Sequence, residues 1–474
     1  MFKTKPIDSH VGYLPDEKPR FLKSIIFALQ QFLVMLPATV LAALLMHFNI
    51  PSAIFASGVA TIVFLFVTKG KIPLYYGSSF SYIPAVAIVI ASAGDLGNGL
   101  VPIEYMGAIQ IAIICSGLLS IGAGYLVKYF GPEKIDKVLP ATVTGPVAAI
   151  IGLSLAGSAV SNAFTINPDS GMLNAIPLIV AVVTVMAIII LTVVLKKGFI
   201  SQVPILLGML IGIFLDVILN LIAGNPVFAT SNIEQHTGFE MLQWTAFNTF
   251  GKMDLSVLPS ALLAIVPVAL VTIPESTAHV YQLDLYVNNL AKEKESDKDY
   301  PISTLLGDNL IGDGVGDIVA TVLGGPAGTN YGENISASAI TKNFSSWVFG
   351  IAAIIAILLS FTPLASFAGY IPNAVVQGAS IYLFGVIAAQ GITLMIDKKV
   401  DMFNPKNLAV IALVFIIGLG GHYALPNGGF PLYKVDGTIV HFPALAAAAI
   451  IGILLNAFLN LIESIKEKVL NRNK

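Results

Sequence analysis

The sequence predicts an all-α polytopic membrane protein, and three observations carry that prediction. Of 474 residues, 56% are hydrophobic and only 11% are charged, too few polar groups to clothe a soluble chain of this size. Apolar runs of about 20 residues, the length a helix needs to cross a bilayer, recur along the whole chain. Lysine-rich stretches fall between them in an order that sorts to one side of a membrane.

Taken in order, the runs at 24–46, 50–68, 104–126, 138–160, 173–195, 199–224, 256–278, 346–368, 374–396, 406–426 and 441–462 read directly as spans. Three weaker segments, 72–93, 301–324 and 328–342, are interrupted by Gly, Pro or acidic residues. Each is needed if the basic stretches are to share a side. With them, Lys18/Arg20/Lys23, Lys69/Lys71, Lys128/Lys134/Lys137, Lys196/Lys197, Lys292/Lys294/Lys298, Lys342, Lys398/Lys399 and the Lys-rich tail all face the cytoplasm. The expected count is about fourteen spans in a cell membrane, with both termini inside. The Lys-poor loop 225–255 falls outside, and 284–300 reads as the most hydrophilic cytoplasmic loop.

Composition also excludes classes of function. A formal net charge of -2 gives no footprint for nucleic acid. The lone Cys115, inside an apolar run, rules out an internal disulfide framework and a thiolate metal cluster. The polar first twenty-odd residues, followed by a run long enough to remain as a span, argue against a cleaved signal peptide.

The third and tenth segments share an unusual build. Each opens on a short extended stretch, Tyr75-Tyr76-Gly77-Ser78-Ser79-Phe80 or Thr329-Asn330-Tyr331-Gly332, and continues as an apolar run. They stand seven segments apart. Because seven is odd, one enters from each side, as in an inverted 7+7 repeat, and such paired interrupted segments point to a transporter's substrate site. Irregular backbone at that depth needs protein or a cavity to satisfy it, and the first turns of two facing half-helices would offer N–H donors to a polar substrate.

Two glutamates lie deep in apolar sequence, Glu275 in Ile273-Pro274-Glu275 and Glu333 in Gly332-Glu333-Asn334. Each is nine residues from the next unmistakably charged residue, Asp284 or Lys342, about 14 Å along a helix and so near a bilayer midplane. Ionisable groups there mark function by default. His279 follows Glu275 by four, so the pair shares a helix face and is placed to exchange a hydrogen bond. If the helix ended at Pro274 both would sit at the interface, but the apolar stretch Val280 to Leu290 argues against that. Asp313 and Asp317 share a face in the Gly-rich run 312–317, where either acid could instead flank a loop. His10, His47, His236, His422 and His441 fall in tails, loops or near a span end and carry no expected role.

At these residues the chain resembles the nucleobase-ascorbate transporter family, and its uracil-permease branch in particular. The resemblance runs over nearly the whole chain. It is carried by Lys69-Gly70-Lys71-Ile72-Pro73 leading to Gly77-Ser78-Ser79-Phe80, by Ile273-Pro274-Glu275 with His279, and by Asn330-Tyr331-Gly332-Glu333-Asn334-Ile335 ending in Ile340-Thr341-Lys342. It implies fourteen spans split into a core (1–130 and 256–370) and a gate (131–255 and 371–474), and proton-coupled uptake of a nucleobase, uracil foremost, often by a homodimer. No cofactor or metal is implied.

Residue by residue, the resemblance puts Glu275 and Glu333 on the base's polar edge and Phe80 against its ring. The backbone at Tyr331 and Gly332 adds hydrogen bonds. Glu275, His279, Glu333 and Asp313 take part in proton coupling, and Asn334, Ser336 and Thr341 support the site. There are departures: Ser336 stands where Gly is usual, with a hydroxymethyl expected to tighten the packing behind the site, and Gln30-Gln31 stands where many relatives have Gln-His. Asp317 also departs from the pattern. Alternatives are a purine or xanthine permease, opposed by Glu333 where those relatives carry Gln, an anion transporter, opposed by two carboxylates at the site, and an intramembrane metalloenzyme, for which one membrane-depth histidine is a poor ligand set.

Overall fold

The computed structural model describes residues 6–7, 11–91, 93, 96, 99–131, 139–164, 174–195, 199–225, 235–435 and 438–472. Lys134, Lys137, Lys196, Lys197 and His10 lie outside the described residues, as do parts of segment 72–93 and of loop 225–255.

Every expected segment is occupied. The first half contains α1 (Phe21–Leu45), α2 (Ile50–Val67), the strand β1 (Tyr76–Ser78) continuing into α3 (Ile83–Ile90), α4 (Ile103–Phe130), α5 (Ala141–Ala163), α6 (Ala175–Val194) and α7 (Pro204–Ala223). The second contains α8 (Leu258–Ile265) running through a tight turn into α9 (Ala269–Glu293), then α10 (Leu306–Val322), β2 (Gly328–Asn330), α11 (Gly332–Thr341), α12 (Ser346–Ser360), α13 (Asn373–Asp397), α14 (Pro405–Phe415) and α15 (Ala444–Arg472). Among the described residues ten helices are long and apolar enough to cross a membrane. The outward faces of α6 and α7 expose Ile179, Met186, Ile190, Phe214 and Ile222, an apolar surface that lipid, not water, would cover.

Contacts of the first half recur in the second under a shift of seven segments. Helix α4 packs on α10 as α12 packs on α2, α8 lies against α4 as α1 lies against α12, and α6 pairs with α7 as α14 pairs with α15. The helix α5 pairs with its own counterpart α13. Glycines make these approaches close: a Cβ on Gly117 would lie 2.7 Å from the Gly314 carbonyl oxygen, one on Gly124 2.7 Å from that of Gly307, and one on Gly152 2.3 Å from that of Phe384. Small residues at such seams are how helices associate where lipid removes the hydrophobic drive.

Two expectations need correction. Stretch 284–300 is not all loop, because α9 continues to Glu293; Leu283, Val287 and Leu290 recur on one face and are buried, which keeps the helix going. The chain also contains a hairpin, β3 (Gly429–Val435) with β4 (Thr438–Pro443), paired antiparallel. The Asp436-Gly437 dipeptide between two strand-like runs was the available signal.

Basic residues that the sequence sorts to one side do converge at one end of the bundle. Lys294 reaches Glu17 at 2.5 Å, Lys298 reaches Asp16 at 2.5 Å, Lys128 reaches Asp308 at 2.5 Å and Lys342 pairs with Glu293. Apart from the half-buried Lys294–Glu17 pair, these are exposed pairs that contribute little individually, yet together they gather residues 12–17, the start of α10 and the ends of α9 and α11 onto one face.

The glycine seam makes a measurable claim. Gly117→Leu is expected to destabilise the detergent-purified protein by about 1–3 kcal/mol through overpacking, read as a fall in thermal midpoint. Gly122→Leu on the same helix, where a Cβ meets nothing within 4 Å, should leave the midpoint near that of the parent.

Candidate functional site

The site forms where the two interrupted segments meet. Strands β1 and β2 run antiparallel with Tyr76 opposite Asn330, Gly77 opposite Thr329 and Ser78 opposite Gly328. Around them Ser79 N–H donates to Ala327 O at 2.8 Å and Tyr331 N–H donates to Tyr75 O at 3.1 Å. The broken backbone of each segment is thus satisfied by the other, which leaves the helices α3 and α11 free to begin mid-bundle.

Glu275 lies midway along the 36-residue stretch Leu258–Glu293, with Pro274 inside α9 and not at its end. Its Oε2 accepts a hydrogen bond from Ser81 Oγ at 3.1 Å, so the start of α3 holds it. Glu333 sits in the first turn of α11, close enough to Glu275 for their charges to interact. A carboxylate in that first turn faces the positive end of the helix dipole. Asp313 is 6% exposed, buried in the interior of α10, not beside a loop; its Oδ2 accepts from Asn309 Nδ2 at 3.2 Å, and Asn309 Oδ1 in turn accepts from Asn330 Nδ2 at 2.9 Å. Asp313 also lies within electrostatic reach of Glu275.

His279 comes to the site by a different route from the expected one. It makes no hydrogen bond with Glu275; its Nε2 would lie 2.9 Å from a Cβ on Gly332, and its Nδ1 is buried without a partner. On a straight helix, i and i+4 side chains share a face, but Glu275 turns to Ser81 and His279 to the start of α11. Gly332 is therefore required for close approach.

The other expected residues divide. Phe80 is half-buried in a short turn before α3 and meets Phe384 of α13 edge-on, ring centres 6.5 Å apart, which leaves part of its ring uncovered. The backbone of Tyr331 is already used, its N–H by Tyr75 and its carbonyl by Ile335 N–H at 3.1 Å; the donors left in the first turn of α11 are those of Gly332, Glu333 and Asn334. Its phenol is a bolt, 3.0 Å from both Ser78 O and Thr39 Oγ1. Asn334, fully buried, donates to Gln31 O and Oε1 at 2.8 Å, and Gln31 Nε2 donates to Ser338 Oγ at 3.0 Å. The Gln31 amide thus ties α1 to α11. Ser336 is exposed, so its hydroxymethyl does not tighten the packing behind the site. Thr341 closes the far end of α11 by donating to Ala337 O at 2.8 Å and does not reach the carboxylates.

Sequence reasoning missed Ser81, Thr329, Asn309, Asn330 and Phe384. Buried polar atoms without a partner concentrate here: His279 Nδ1, Asp313 Oδ1, Thr329 Oγ1, Asn330 Oδ1 and Asn334 Oδ1. Each costs about 1–3 kcal/mol if left unpaired, so a cluster of them suits a polar ligand or ordered water. A cavity of about 400 Å³ opens at the Lys398/Lys399 end, bounded by Pro274, Thr277 and Ala278 of α9 on one wall and by Thr142, Thr144 and Lys398 on the other; it reaches the residue before Glu275, and none of these partnerless atoms lines it. At the opposite end, a pocket of only about 20 Å³ remains between Pro84, Pro267 and His422. Among the described residues no group of three or more His, Cys, Asp or Glu is arranged to hold a metal ion.

Apolar helices folded round two crossed half-segments mark a multi-pass membrane protein, and its likeness to known permeases makes it a transporter and not an enzyme. The Permease family model matches residues 22–426, and the chain belongs to that family, the nucleobase-ascorbate transporters. It is 33% identical to the uracil permease of Bacillus subtilis (strain 168) over 91% of this chain and 92% of that one. It is 33% identical to the uracil permease of Escherichia coli (strain K12) over 95% and 94%, and 32% identical to that organism's putative pyrimidine permease RutG over 94% and 91%. The fold is similar to that of the transmembrane domain of a cyanobacterium bicarbonate transporter, BicA, with TM-score 0.54 and 15% identity over 92% of this chain and 98% of that one. It is also similar to that of SLC26A9, with TM-score 0.62 and 12% identity over 93% and 65%.

Gly332→Ala places a methyl group against the His279 ring. It is expected to impair uptake in a cell assay while shifting the thermal midpoint of the purified protein little, since only the end of one side chain has to yield.

Proposed function

We propose that this protein is a proton-coupled importer of nucleobases, with uracil as its principal substrate, in which a core (α1–α4 and α8–α12) moves against a gate (α5–α7 and α13–α15). The observation that carries this reading is that Glu275 and Glu333 lie within electrostatic reach of each other at the strand crossing, with a cavity lined by both units reaching Pro274, the residue before Glu275. A nucleobase presents ring N–H donors and carbonyl acceptors on one edge. An ionised carboxylate accepts from N–H, its protonated form also donates to a carbonyl, and the uncovered part of Phe80 offers a ring an apolar wall. Relatives named uracil permease support this substrate class. Two carboxylates at the site oppose an anion as cargo.

Coupling follows from the same groups. Glu275 lies within electrostatic reach of both Glu333 and Asp313, and none of the three forms an ion pair with Lys or Arg among the described residues. A proton delivered to this group removes one charge from it when substrate binds. In this reading the Lys398/Lys399 end is cytoplasmic, both termini are inside the plasma membrane, and the wide cavity at that end with the narrow one opposite make this an inward-facing arrangement.

Reconstituted vesicles test the proposal directly. An acid exterior should drive accumulation of labelled uracil, and uptake that follows sodium while ignoring the proton gradient would overturn it. Glu275→Gln should weaken binding by about 1.5–3 kcal/mol, the value of a charge-assisted hydrogen bond, and abolish accumulation. His279→Ala should reduce transport more than affinity, which calorimetry separates.

Glu333→Gln tests selectivity. An ionised carboxylate offers only acceptors, whereas an amide sets two donors against the ring N–H. Uracil affinity should fall roughly tenfold to a hundredfold in competition assays, and an unchanged affinity in a folded variant would leave Glu333 only a helix-terminal charge.

A further inference from the structure

Asp317 is a buried acid that the transport reading leaves unused. It is 2% exposed and lies one turn beyond Asp313 on α10. Its Oδ1 accepts the Gly328 N–H at 2.7 Å and the Tyr76 hydroxyl at 2.8 Å, and its Oδ2 lies 3.5 Å from the Tyr82 hydroxyl. One carboxyl group therefore touches the first residue of β2, the first residue of β1 and the turn that starts α3. Tyr76 is held as firmly as its partner. A Cβ on Gly316 would lie 2.6 Å from its ring and one on Gly328 2.2 Å, so the ring occupies a slot that glycine alone leaves open. Phe64 stacks on it at 5.7 Å with a 12° tilt. Thr61 Oγ1 donates to Tyr76 O at 2.9 Å and accepts from Tyr76 N–H at 3.0 Å, while the phenol also reaches Asp313 O at 2.8 Å.

We propose that Asp317 and Tyr76 form a latch that keeps the two interrupted segments in register and thereby sets the position of Glu333; both are positioning residues that do not touch the substrate. Two strands of three residues are too short to hold register alone. Gly328 opens β2 and stands five residues before Glu333, with only Thr329, Asn330, Tyr331 and Gly332 between, so freeing its N–H lets the first turn of α11 move. Asp317 is also the wrong group for carrying the proton: its Oδ1 accepts the Gly328 N–H and shares the single Tyr76 hydroxyl proton with Asp313 O, and its Oδ2 faces the Tyr82 hydroxyl, whereas Asp313 keeps an oxygen without a partner. The inference rests on the substrate site proposed above, but the latch itself has a readout that needs no substrate.

The test uses the full-length protein in detergent and in vesicles, with Asp317→Ala, Asp317→Asn, Tyr76→Phe and the double variant Tyr76→Phe/Asp317→Ala. Labelled uracil affinity, hydrogen exchange of amides 328–335 and acid-driven accumulation are read together. Asp317→Ala should weaken uracil binding about tenfold or more and speed exchange across 328–335. Tyr76→Phe, which keeps the ring in its slot, should do the same to a smaller extent. The double variant should be no worse than Asp317→Ala, because both remove one contact. Asp317→Asn keeps an acceptor for Gly328 N–H and Tyr76 and should retain binding and accumulation. Wild-type exchange and affinity in Asp317→Ala would overturn the latch, as would additive losses in the double variant. Normal binding with lost accumulation in Asp317→Asn would make Asp317 a proton carrier instead. If Asp317→Ala does not fold, Tyr76→Phe decides through the same two readouts. If the parent protein binds no nucleobase, the transport reading fails, and exchange at 328–335 still decides the latch.

Discussion

Everything in this structure depends on one constraint: peptide groups at the middle of an apolar bundle must find partners inside the protein. A helix meets that constraint by itself, and most of the chain is helix. The two segments that break cannot, and each supplies what the other lacks. Tyr331 and Ser78, joined by a side-chain hydrogen bond, are 253 residues apart in sequence, so the crossing exists only once both halves have assembled. The substrate site proposed here is a by-product of that repair, because half-helices that begin mid-bundle bring Ser81, Gly332 and Glu333 to the place where Glu275 passes.

The same constraint explains why so many small and polar residues lie in the middle of apolar helices. Gly316 and Gly328 make room for Tyr76, Gly332 admits His279, and Gly77 admits the Tyr331 ring, which would lie 2.4 Å from a Cβ there. Thr39, Gln31 and Asn334 then fasten α1 to the crossing. In a low-dielectric interior such bonds are strong when complete and costly when half made. The crossing is thus a rigid block, while the partnerless polar atoms beside it are the part open to a ligand. In the reading proposed here, a site carried on the core, with Phe80 meeting Phe384 across the boundary to the gate, is what alternating exposure asks for.

How much was legible follows from range. The spans were readable because hydrophobic length is local, and the paired breaks were readable because short extended runs within apolar sequence are conspicuous. Glu275, Glu333 and Asp313 stood out by the expense of ionisable groups in such surroundings. The actual partners did not. Nothing local shows that Glu275 turns to Ser81 instead of His279, that the Tyr331 N–H is taken by Tyr75, or that Ser336 is exposed. Those choices depend on which way each side chain leaves its helix and what lies opposite, from segments hundreds of residues away.

By itself the sequence determined the membrane class, the positions of the helices, the seven-segment spacing of the two breaks and Glu275, Glu333, Asp313 and Asp317 as acids in apolar surroundings, since each follows from the transfer cost of groups along a short stretch of chain. Only the tertiary structure decided how each acid is partnered and which is bound into the scaffold. Asp313 and Asp317 are alike in composition, spacing and helix, yet one keeps an oxygen without a partner and the other is surrounded by donors from both halves. The physical reason is that an acid's role depends on the donors brought to it, and here those donors arrive from distant segments through packing.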